Sequence, residues 1–254
     1  MVRTRMAPSP TGEYHIGSLR TMLYSYAWAT KHDGQFTRRI ADTDRNRLVE
    51  GAVERILSDI TDYGLGWDEG PQVDGEYGPY VQSERLDIYP QYAQKLLEDD
   101  HAYYCFCSAD DLKEMREKQQ AQGEQTHYDR RCRSISKEDA QNRIDNGESY
   151  VIRLKVPDNE TVTYTDTVLG EISFNTDEVD DQVLMKSDGF PTYHLAVVVD
   201  DHLMEISHIL RGMEWVSSMP KHILLYRYLD WEMPETGHLP LLLDPGGGKM
   251  SKRH

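Results

Sequence analysis

Residues 2–18 read VRTRMAPSPTGEYHIGS, and this stretch decides the fold class. VRTRMAP predicts a short strand, and the segment rich in Pro, Gly and Ser that follows it predicts a loop. Apolar residues then recur at helical spacing from Leu19 to Ala27, and Gly34 is expected to stop this helix. A second strand, QFTRRIAD, follows at residues 35–42. Strand, loop, helix and strand in this order predict the start of a parallel α/β layer.

Two further helices are predicted at residues 48–63 and 84–99, because apolar residues recur there three or four apart. The pattern changes near His101, where AYYCFC predicts a strand. Ser108 and Ser136 each precede an aspartate by three residues, which is typical of a capped helix start. Beyond them YVIRLKVP, TVTYTDTV and GEISF alternate polar and apolar residues, and we predict that they form one antiparallel unit.

The last third of the chain returns to alternating elements, with DQVLMKS, TYHLAVVVDDHL, SHILRGMEW and the helix SMPKHILLYRYL. LPLLLD predicts a final strand before the glycine run Gly246–Gly248. The predicted fold is α/β, a Rossmann-like domain with a parallel sheet that is interrupted by an α+β connective insertion. We expect residues 1–101 to form the first half of this domain, 102–182 the insertion and 183–254 the second half.

The net charge of −16 over 254 residues gives no overall positive field to attract nucleic acid, so any contact with RNA must be local. One basic cluster could supply phosphate contacts or could be a solvated helix face and loop; it comprises Arg130, Arg131 and Arg133, with Lys113, Arg116 and Lys118 upstream. No run of about 18 uncharged apolar residues occurs, and the start lacks the apolar core of a secretory signal. Three cysteines argue against a disulfide framework. We expect a cytoplasmic protein without a membrane segment.

His15-Ile16-Gly17-Ser18 lies between the first predicted strand and the first helix, where an open α/β sheet binds ligand. Gly17 would let a nucleotide approach the backbone, and His15 can donate a hydrogen bond to phosphate oxygens as their negative charge grows. A His-x-Gly segment alone is more often a surface histidine at a helix start.

A second signal is Lys249-Met250-Ser251-Lys252-Arg253, which follows the glycine run. Two lysines three residues apart can hold a triphosphate and neutralise the charge of departing pyrophosphate. With His15 at the other end of the α/β domain, the two motifs resemble the HIGH and KMSKS signatures of class I aminoacyl-tRNA synthetases. RMAPSPTG at 5–12, RRIADTDR at 38–45, TYHLAVVVDDHL and ILRGMEW are similar to the glutamyl branch of that family.

The resemblance implies that ATP and Mg²⁺ activate L-glutamate as an adenylate, and that the glutamyl group then passes to tRNA. It implies catalytic roles for His15, Lys249 and Lys252. It places eight residues at the ATP: His15, Gly17, Ser18, Glu214, Lys249, Met250, Ser251 and Lys252. It places seven at the amino acid: Arg5, Ala7, Ser9, Ala41, Tyr193, Val197 and Arg211. Thr43, Asp44, Arg47 and Trp215 match positions near the terminal adenosine of tRNA.

The resemblance also implies that the insertion contacts the acceptor stem and that the chain acts as a monomer. Complete members of the family continue into a helical anticodon-binding region, which we do not expect within these residues.

The chain departs from the family pattern inside the expected amino-acid site. Ala41 stands where the family usually has Glu, and Val197 where it usually has Asn. Both changes remove a polar partner of the substrate. Ser18 replaces the last His of the first signature, a change that the glutamyl branch tolerates.

Cys105, Cys107 and Cys132 resemble a metal site of the family, because some glutamyl enzymes bind zinc through such cysteines and one more ligand. The usual histidine two residues after the last cysteine is Ser134 here, so Tyr128 or His127 could be the fourth ligand. Free thiols in a hairpin are the other reading of the same residues.

Two other functions fit part of the pattern. A shorter paralogue that attaches glutamate to a modified tRNA base also lacks the anticodon region, but its lysine signature is usually degraded. A non-catalytic tRNA-binding or amino-acid-binding paralogue would explain Ala41 and Val197 but not the intact His15 and Lys252.

Overall fold

The computed structural model describes residues 1–12, 16–243 and 246–248. Within them the chain forms a six-stranded and a three-stranded sheet, packed with helices. The strands are β1 (Arg3–Met6), β2 (Gln35–Arg38), β3 (Ala102–Cys105), β4 (Val151–Leu154), β5 (Thr161–Asp166), β6 (Gly170–Asn175), β7 (Val183–Met185), β8 (His208–Gly212) and β9 (Glu235–Leu239). The helices are α1 (Ile16–Lys31), α2 (Ala52–Asp62), α3 (Tyr89–Glu98), α4 (Ala109–Ala121), α5 (Lys137–Asp145), α6 (Tyr193–Leu203) and α7 (Met219–Tyr228).

The opening strand, helix and strand form the predicted parallel unit. β1 pairs in parallel with β2, with Thr4 opposite Phe36. Met22, Phe36 and Ile56 are buried together, so α1 and α2 pack against this edge of the sheet. The predicted α/β class is confirmed.

The six-stranded sheet has the order β2-β1-β8-β9-β5-β6, and each pair except β5-β6 is parallel. From β1 the chain first crosses to β2 on one side, and it returns much later to lay β8 on the other side. β1 and β8 therefore lie at the point where the strand order reverses. In an open parallel sheet, ligands bind outside the carboxyl ends of strands at such a point.

The prediction of one antiparallel unit in the middle of the chain is wrong. β5 and β6 do form an antiparallel hairpin, but β5 joins β9 in the large sheet. β4 instead pairs with β3 and β7 in the small sheet. Alternation of polar and apolar residues shows that a strand has one buried face, but it does not specify the neighbouring strand. Both sheets consequently contain strands from either side of the expected boundaries at residues 101 and 182.

Several predicted bounds also shift. The helix predicted at 48–63 begins only after Gly51, whose φ is 71°. The helix predicted at 84–99 divides into a 3-10 turn, Gln82–Arg85, and α3. The last strand is ETGHL rather than LPLLLD and ends at Leu239, because Pro240 has no backbone N–H to extend the ladder. The capping box of Ser108 and Asp111 is confirmed, and Ser136 accepts from the Asp139 amide.

The main apolar core lies around α6, whose residues Leu195–Val199 are buried against side chains of α3 and α7. Asp200 and Asp201, in the last turn of α6, are also buried. None of the helices in the described ranges has both the length and the apolar composition that crossing a lipid bilayer requires.

Candidate active site

A cavity of about 400 Å³ opens at the carboxyl ends of β1 and β8. Its walls come from the end of β1 and the following loop, the first turns of α1, the start of α6, and the residues after β8. Gly12 in the first loop has a φ of 129°, a conformation that residues with a side chain rarely adopt. The cavity is large enough for a small ligand and lies where an α/β sheet is expected to bind one.

Ten of the predicted site residues line this cavity: Arg5, Ala7, Ser9, Gly17, Ser18, Arg47, Tyr193, Arg211, Glu214 and Trp215. Four others are described by the structure but are not in its walls: Ala41, Thr43, Asp44 and Val197. The remaining predictions, His15, Lys249, Met250, Ser251 and Lys252, lie outside the described residues.

Arg5 reaches the cavity from β1, but its charge is already paired. Its Nε and Nη2 atoms donate to the two carboxylate oxygens of Asp201 at 3.0 and 2.9 Å. Arg39 donates to the same carboxylate at 2.8 Å. Burial raises the pKa of Asp201, but Arg5 and Arg39 outweigh burial and the net pKa is lowered. Arg5 is thus fixed in the wall as half of an ion pair.

Arg211, at the end of β8, has a different set of partners. Its Nε donates to His238 Nε2 at 2.9 Å, and its Nη1 is 3.3 Å from the Tyr193 hydroxyl. Nη1 also lies 3.4 Å from His222 Nδ1. Nη2 contacts the Met219 sulfur at 2.8 Å and the Trp215 carbonyl oxygen at 3.4 Å. None of these acceptors is a carboxylate.

Two aromatic rings lie beside Arg211. The Tyr193 and Trp215 rings have centroids 4.5 Å apart and planes inclined by 36°. Trp215 is partly exposed, so its ring offers a surface on which a planar group can stack.

Arg47, also in the wall, is held at 2.6 Å by Asp44. Asp44 therefore acts on the cavity through Arg47.

The two departures from the family pattern lie behind the wall. Ala41 is 8% exposed, and its N–H donates to the carbonyl oxygen of Pro8 in the first loop. Val197 lies one turn after Tyr193 on α6 and is buried in the main apolar core. Thr43 is buried as well, and its carbonyl oxygen accepts from Lys186.

The three cysteines lie together, as a metal site requires. Their Sγ atoms all lie within 4.8 Å of one another, and Cys107 Sγ is 3.6 Å from Cys132 Sγ. The Tyr128 hydroxyl is 3.3 Å from Cys105 Sγ and 3.5 Å from Cys107 Sγ. A hydrogen bond with Cys132 is the largest of several that lower the pKa of Cys105 to about 4. His127 points elsewhere, with Nδ1 at 3.0 Å from the Gln125 carbonyl oxygen.

The basic cluster around Arg130–Arg133 is largely paired with carboxylates. Arg131 holds Asp129 with contacts down to 2.7 Å, and Arg130 pairs with Asp158 and Asp181. Arg133 lies 3.4 Å from Asp158. These pairs reduce the positive charge that the cluster offers to phosphate.

Sequence reasoning did not find the groups that hold the two arginines, namely Asp201, His222, His238 and Asp166. Asp201 follows Arg5 by 196 residues, and no local spacing connects them. It also did not find Thr21 and Leu210, which line the cavity. The run Asp200-Asp201 at the end of an apolar segment was the one available signal, since buried carboxylates need partners.

The fold and cavity are those of an α/β protein with a cavity at the switch point of a parallel sheet, where such proteins bind ligands. The chain belongs to the class I tRNA synthetases for glutamate and glutamine: the profile of their catalytic domain, "tRNA synthetases class I (E and Q), catalytic domain", matches residues 1–254.

Two relatives named glutamate–tRNA ligase are similar over nearly the whole chain. The one from Chloroherpeton thalassium is 55% identical over 258 residues, covering 99% of this chain and 51% of the relative. The one from Finegoldia magna is 53% identical over 263 residues, covering 100% of this chain and 54% of the relative. The chain thus spans about half the length of the relatives it matches.

A solved structure matches a similar share of this chain. The crystal structure of a glutamate tRNA ligase from Elizabethkingia meningosepticum in complex with its amino acid has a TM-score of 0.95 and 43% identity. The match covers 99% of this chain and 52% of the other.

Proposed function

We propose that the chain catalyses ATP-dependent ligation of L-glutamate to tRNA through a glutamyl-adenylate. The cavity at β1 and β8 carries this proposal, because it brings Arg211 and Tyr193 together with the loop expected to bind nucleotide around one space. The names of the relatives support it.

In the first step an oxygen of the glutamate α-carboxylate attacks the α-phosphorus of ATP, and pyrophosphate leaves. Arg211 and Tyr193 would orient the amino acid, because a guanidinium and a hydroxyl can both donate to carboxylate oxygens. Gly17, Ser18 and Glu214 would hold the nucleotide. His15, Lys249 and Lys252 would neutralise the growing charge on the phosphates, and Mg²⁺, when bound, would supply further positive charge there. Met250 and Ser251 belong to the same expected contact with ATP.

In the second step a hydroxyl of the tRNA terminal adenosine attacks the acyl carbon, and AMP leaves. Trp215 supports this step because its exposed ring can stack on an unpaired base. Arg47 would contact the tRNA backbone, oriented by Asp44, while Thr43 remains a buried support.

The expected acceptor-stem contact of the insertion, the three-part division of the chain and the monomeric state stay predictions. The three free cysteines support a reducing compartment such as the cytoplasm.

We further propose that Cys105, Cys107, Cys132 and Tyr128 bind one zinc ion. Tetrahedral zinc with Zn–S bonds of about 2.3 Å separates its sulfur ligands by roughly 3.8 Å. The distance of 3.6 Å between Cys107 and Cys132 is near this value. The Tyr128 hydroxyl lies 3.3 and 3.5 Å from two sulfur atoms, which favours Tyr128 over His127 as the fourth ligand.

Exchange of labelled pyrophosphate into ATP tests the main proposal. The assay is run on the full chain with L-glutamate or L-glutamine, each with and without tRNA, and esterification of the tRNA end is measured beside it. Exchange that needs glutamate, together with an ester at the terminal adenosine, supports the proposal. Exchange without that ester would instead favour transfer to a modified base. If no amino acid supports exchange in the presence of tRNA and Mg²⁺, the proposal is wrong.

A further inference from the structure

The two arginines of the cavity differ in how their charge is balanced. Arg5 shares the carboxylate of Asp201 with Arg39, so a carboxylate already neutralises much of its charge. Arg211 is held by two histidine rings, a hydroxyl, a carbonyl oxygen and the Met219 thioether sulfur. No ion pair joins Arg211 to a carboxylate in the part of the chain that the structure describes. Arg211 therefore presents a positive charge to the cavity that its immediate partners leave unneutralised.

The contact with His238 fixes the tautomer of that ring. A guanidinium N–H can only donate, so His238 Nε2 must accept from Arg211 Nε at 2.9 Å. The ring proton then lies on Nδ1, which donates to Asp166 Oδ2 at 2.5 Å. Burial lowers the pKa of His238, and this keeps the ring neutral. A neutral ring with its proton on Nδ1 is the form that can accept from Arg211.

Asp166 is itself fixed by the backbone. Its Oδ1 accepts from the N–H groups of Val168, Leu169 and His238 at 3.0, 2.9 and 3.1 Å. The side chains of both His238 and Asp166 are fully buried. Asp166 ends β5 and His238 lies on β9, so two neighbouring strands contribute to the orientation of a residue on β8.

We propose that Asp166 and His238 are positioning residues that hold Arg211 in place through neutral acceptors, so that its unneutralised charge selects an anionic substrate. This inference rests on the proposed function, because it requires that Arg211 meets a carboxylate of glutamate. A carboxylate in direct contact with Arg211 would orient it as well but would cancel the charge. With His238 between Asp166 and Arg211, the arginine is oriented while more of its charge remains.

The substitution Asp166→Asn tests the tautomer directly. Asparagine keeps Oδ1 as the acceptor of the three backbone N–H groups, but its amide nitrogen faces His238 and can only donate. His238 Nδ1 must then accept, and its proton moves to Nε2, against the N–H of Arg211. We expect the KM for glutamate to rise by about 10-fold to 100-fold and kcat to change by less than about 3-fold. Preference for glutamate over glutamine should fall by about 10-fold.

Tyr164→Phe is the matched control, since the Tyr164 hydroxyl contacts Asp166 and His238 at 3.3 and 3.4 Å but does not set the tautomer. Its kinetics should stay within about 2-fold of the starting protein. If Asp166→Asn does not fold, a second pair of variants decides. His238→Gln keeps an acceptor near Arg211 and should retain most of the glutamate affinity, whereas His238→Leu should lose it.

The outcomes separate the two proposals. If the unmodified protein gives no glutamate-dependent exchange, the proposed function fails, and this inference fails with it. If the unmodified protein is active and Asp166→Asn matches Tyr164→Phe in KM and in preference for glutamate, only the positioning role is refuted. Equal behaviour of His238→Gln and His238→Leu would refute it too.

Discussion

At the scale of single residues, Ala41 is the departure from the family pattern whose surroundings the structure describes in most detail. Its backbone N–H is bound to Pro8, in the loop that forms the cavity wall, and its side chain is buried. A glutamate placed there would be close to this loop and would lie in a poorly solvated environment. Such a carboxylate is stabilised only when a cation pairs with it.

We therefore expect Ala41→Glu to lower the KM for glutamate by about 10-fold, because a charge-assisted hydrogen bond to the substrate ammonium contributes about 1.5 kcal/mol or more. Initial rates of exchange over a range of glutamate concentrations measure it. Ala41→Gln is the control of equal size and should give a smaller gain. An unchanged KM in Ala41→Glu, or complete loss of exchange, would mean that this pocket holds its substrate in another way.

Lys252 lies outside the described residues, so its role is predicted from the motif alone. Lys252→Ala should reduce exchange by roughly 100-fold, because one preorganised cation at developing charge is worth about 3 kcal/mol. Binding of ATP should change less. Lys113→Ala removes an exposed lysine of α4 that is paired with Glu117 and should leave the rate unchanged. A normal exchange rate in Lys252→Ala would exclude a catalytic role for this lysine.

The resemblance predicts positions of the site but not the partners of its residues. Arg5, Tyr193 and Arg211 match family positions expected at the amino acid, and all three line one cavity. Asp201 and His238 reach those arginines only after long stretches of chain have folded back. Their pairing depends on tertiary contacts, which sequence spacing does not contain.

At the scale of elements, the small sheet and the β5–β6 hairpin of the large sheet show the same limit. The alternation in β5 was correct, and its burial does alternate along the strand. Its partner was not predicted, because a hairpin with one buried face satisfies the same pattern in either sheet. Ser108 and Asp111, by contrast, determine a helix start through contacts within four residues, and that prediction is confirmed.

The cysteine cluster belongs to this scale, since it joins β3 to the loops around α4. Protein purified without chelator should contain about one zinc per chain, measured by elemental analysis. Tyr128→Phe should lose most of that zinc, and His127→Ala, which changes the neighbouring ring, should keep it. Zinc below about a tenth of an equivalent in the unmodified protein, with three titratable thiols, would leave ordinary cysteines.

At the scale of the whole molecule, α6 connects distant parts of the chain through Asp200 and Asp201 in its last turn. Asp201 binds Arg5 of β1 and Arg39 beyond β2, while Asp200 binds Arg85 at 2.8 Å. These charges are fully buried, so each depends on its partner for solvation. Removing one partner would leave an unpaired charge in the core, and the same charges constrain the wall of the cavity.

A histidine pair next to this network, with His222 buried and His194 partly buried, makes the stability of the fold depend on pH. His194 Nδ1 lies 3.1 Å from His222 Nε2, and burial lowers the pKa of His194 from 6.5 to about 3. Burial also lowers the pKa of His222. Below pH 6.5 His194 binds a proton in the unfolded chain but not in the folded chain. The free energy of unfolding therefore falls as the pH falls. Asp201, whose pKa is lowered from 3.8, adds a further loss only below that pH.

We expect His194 to cost the fold about 2 kcal/mol between roughly pH 6.5 and pH 5, since one proton contributes about 1.4 kcal/mol per pH unit. Urea titrations at about pH 7 and about pH 5 measure this loss. His194→Gln keeps a group that can accept from His222 but cannot take up the proton, so its loss on acidification should be smaller by that amount. His32→Gln changes an exposed histidine and should behave like the unmodified protein. If His194→Gln and His32→Gln lose stability equally on acidification, the buried pair does not control the acid sensitivity of the fold.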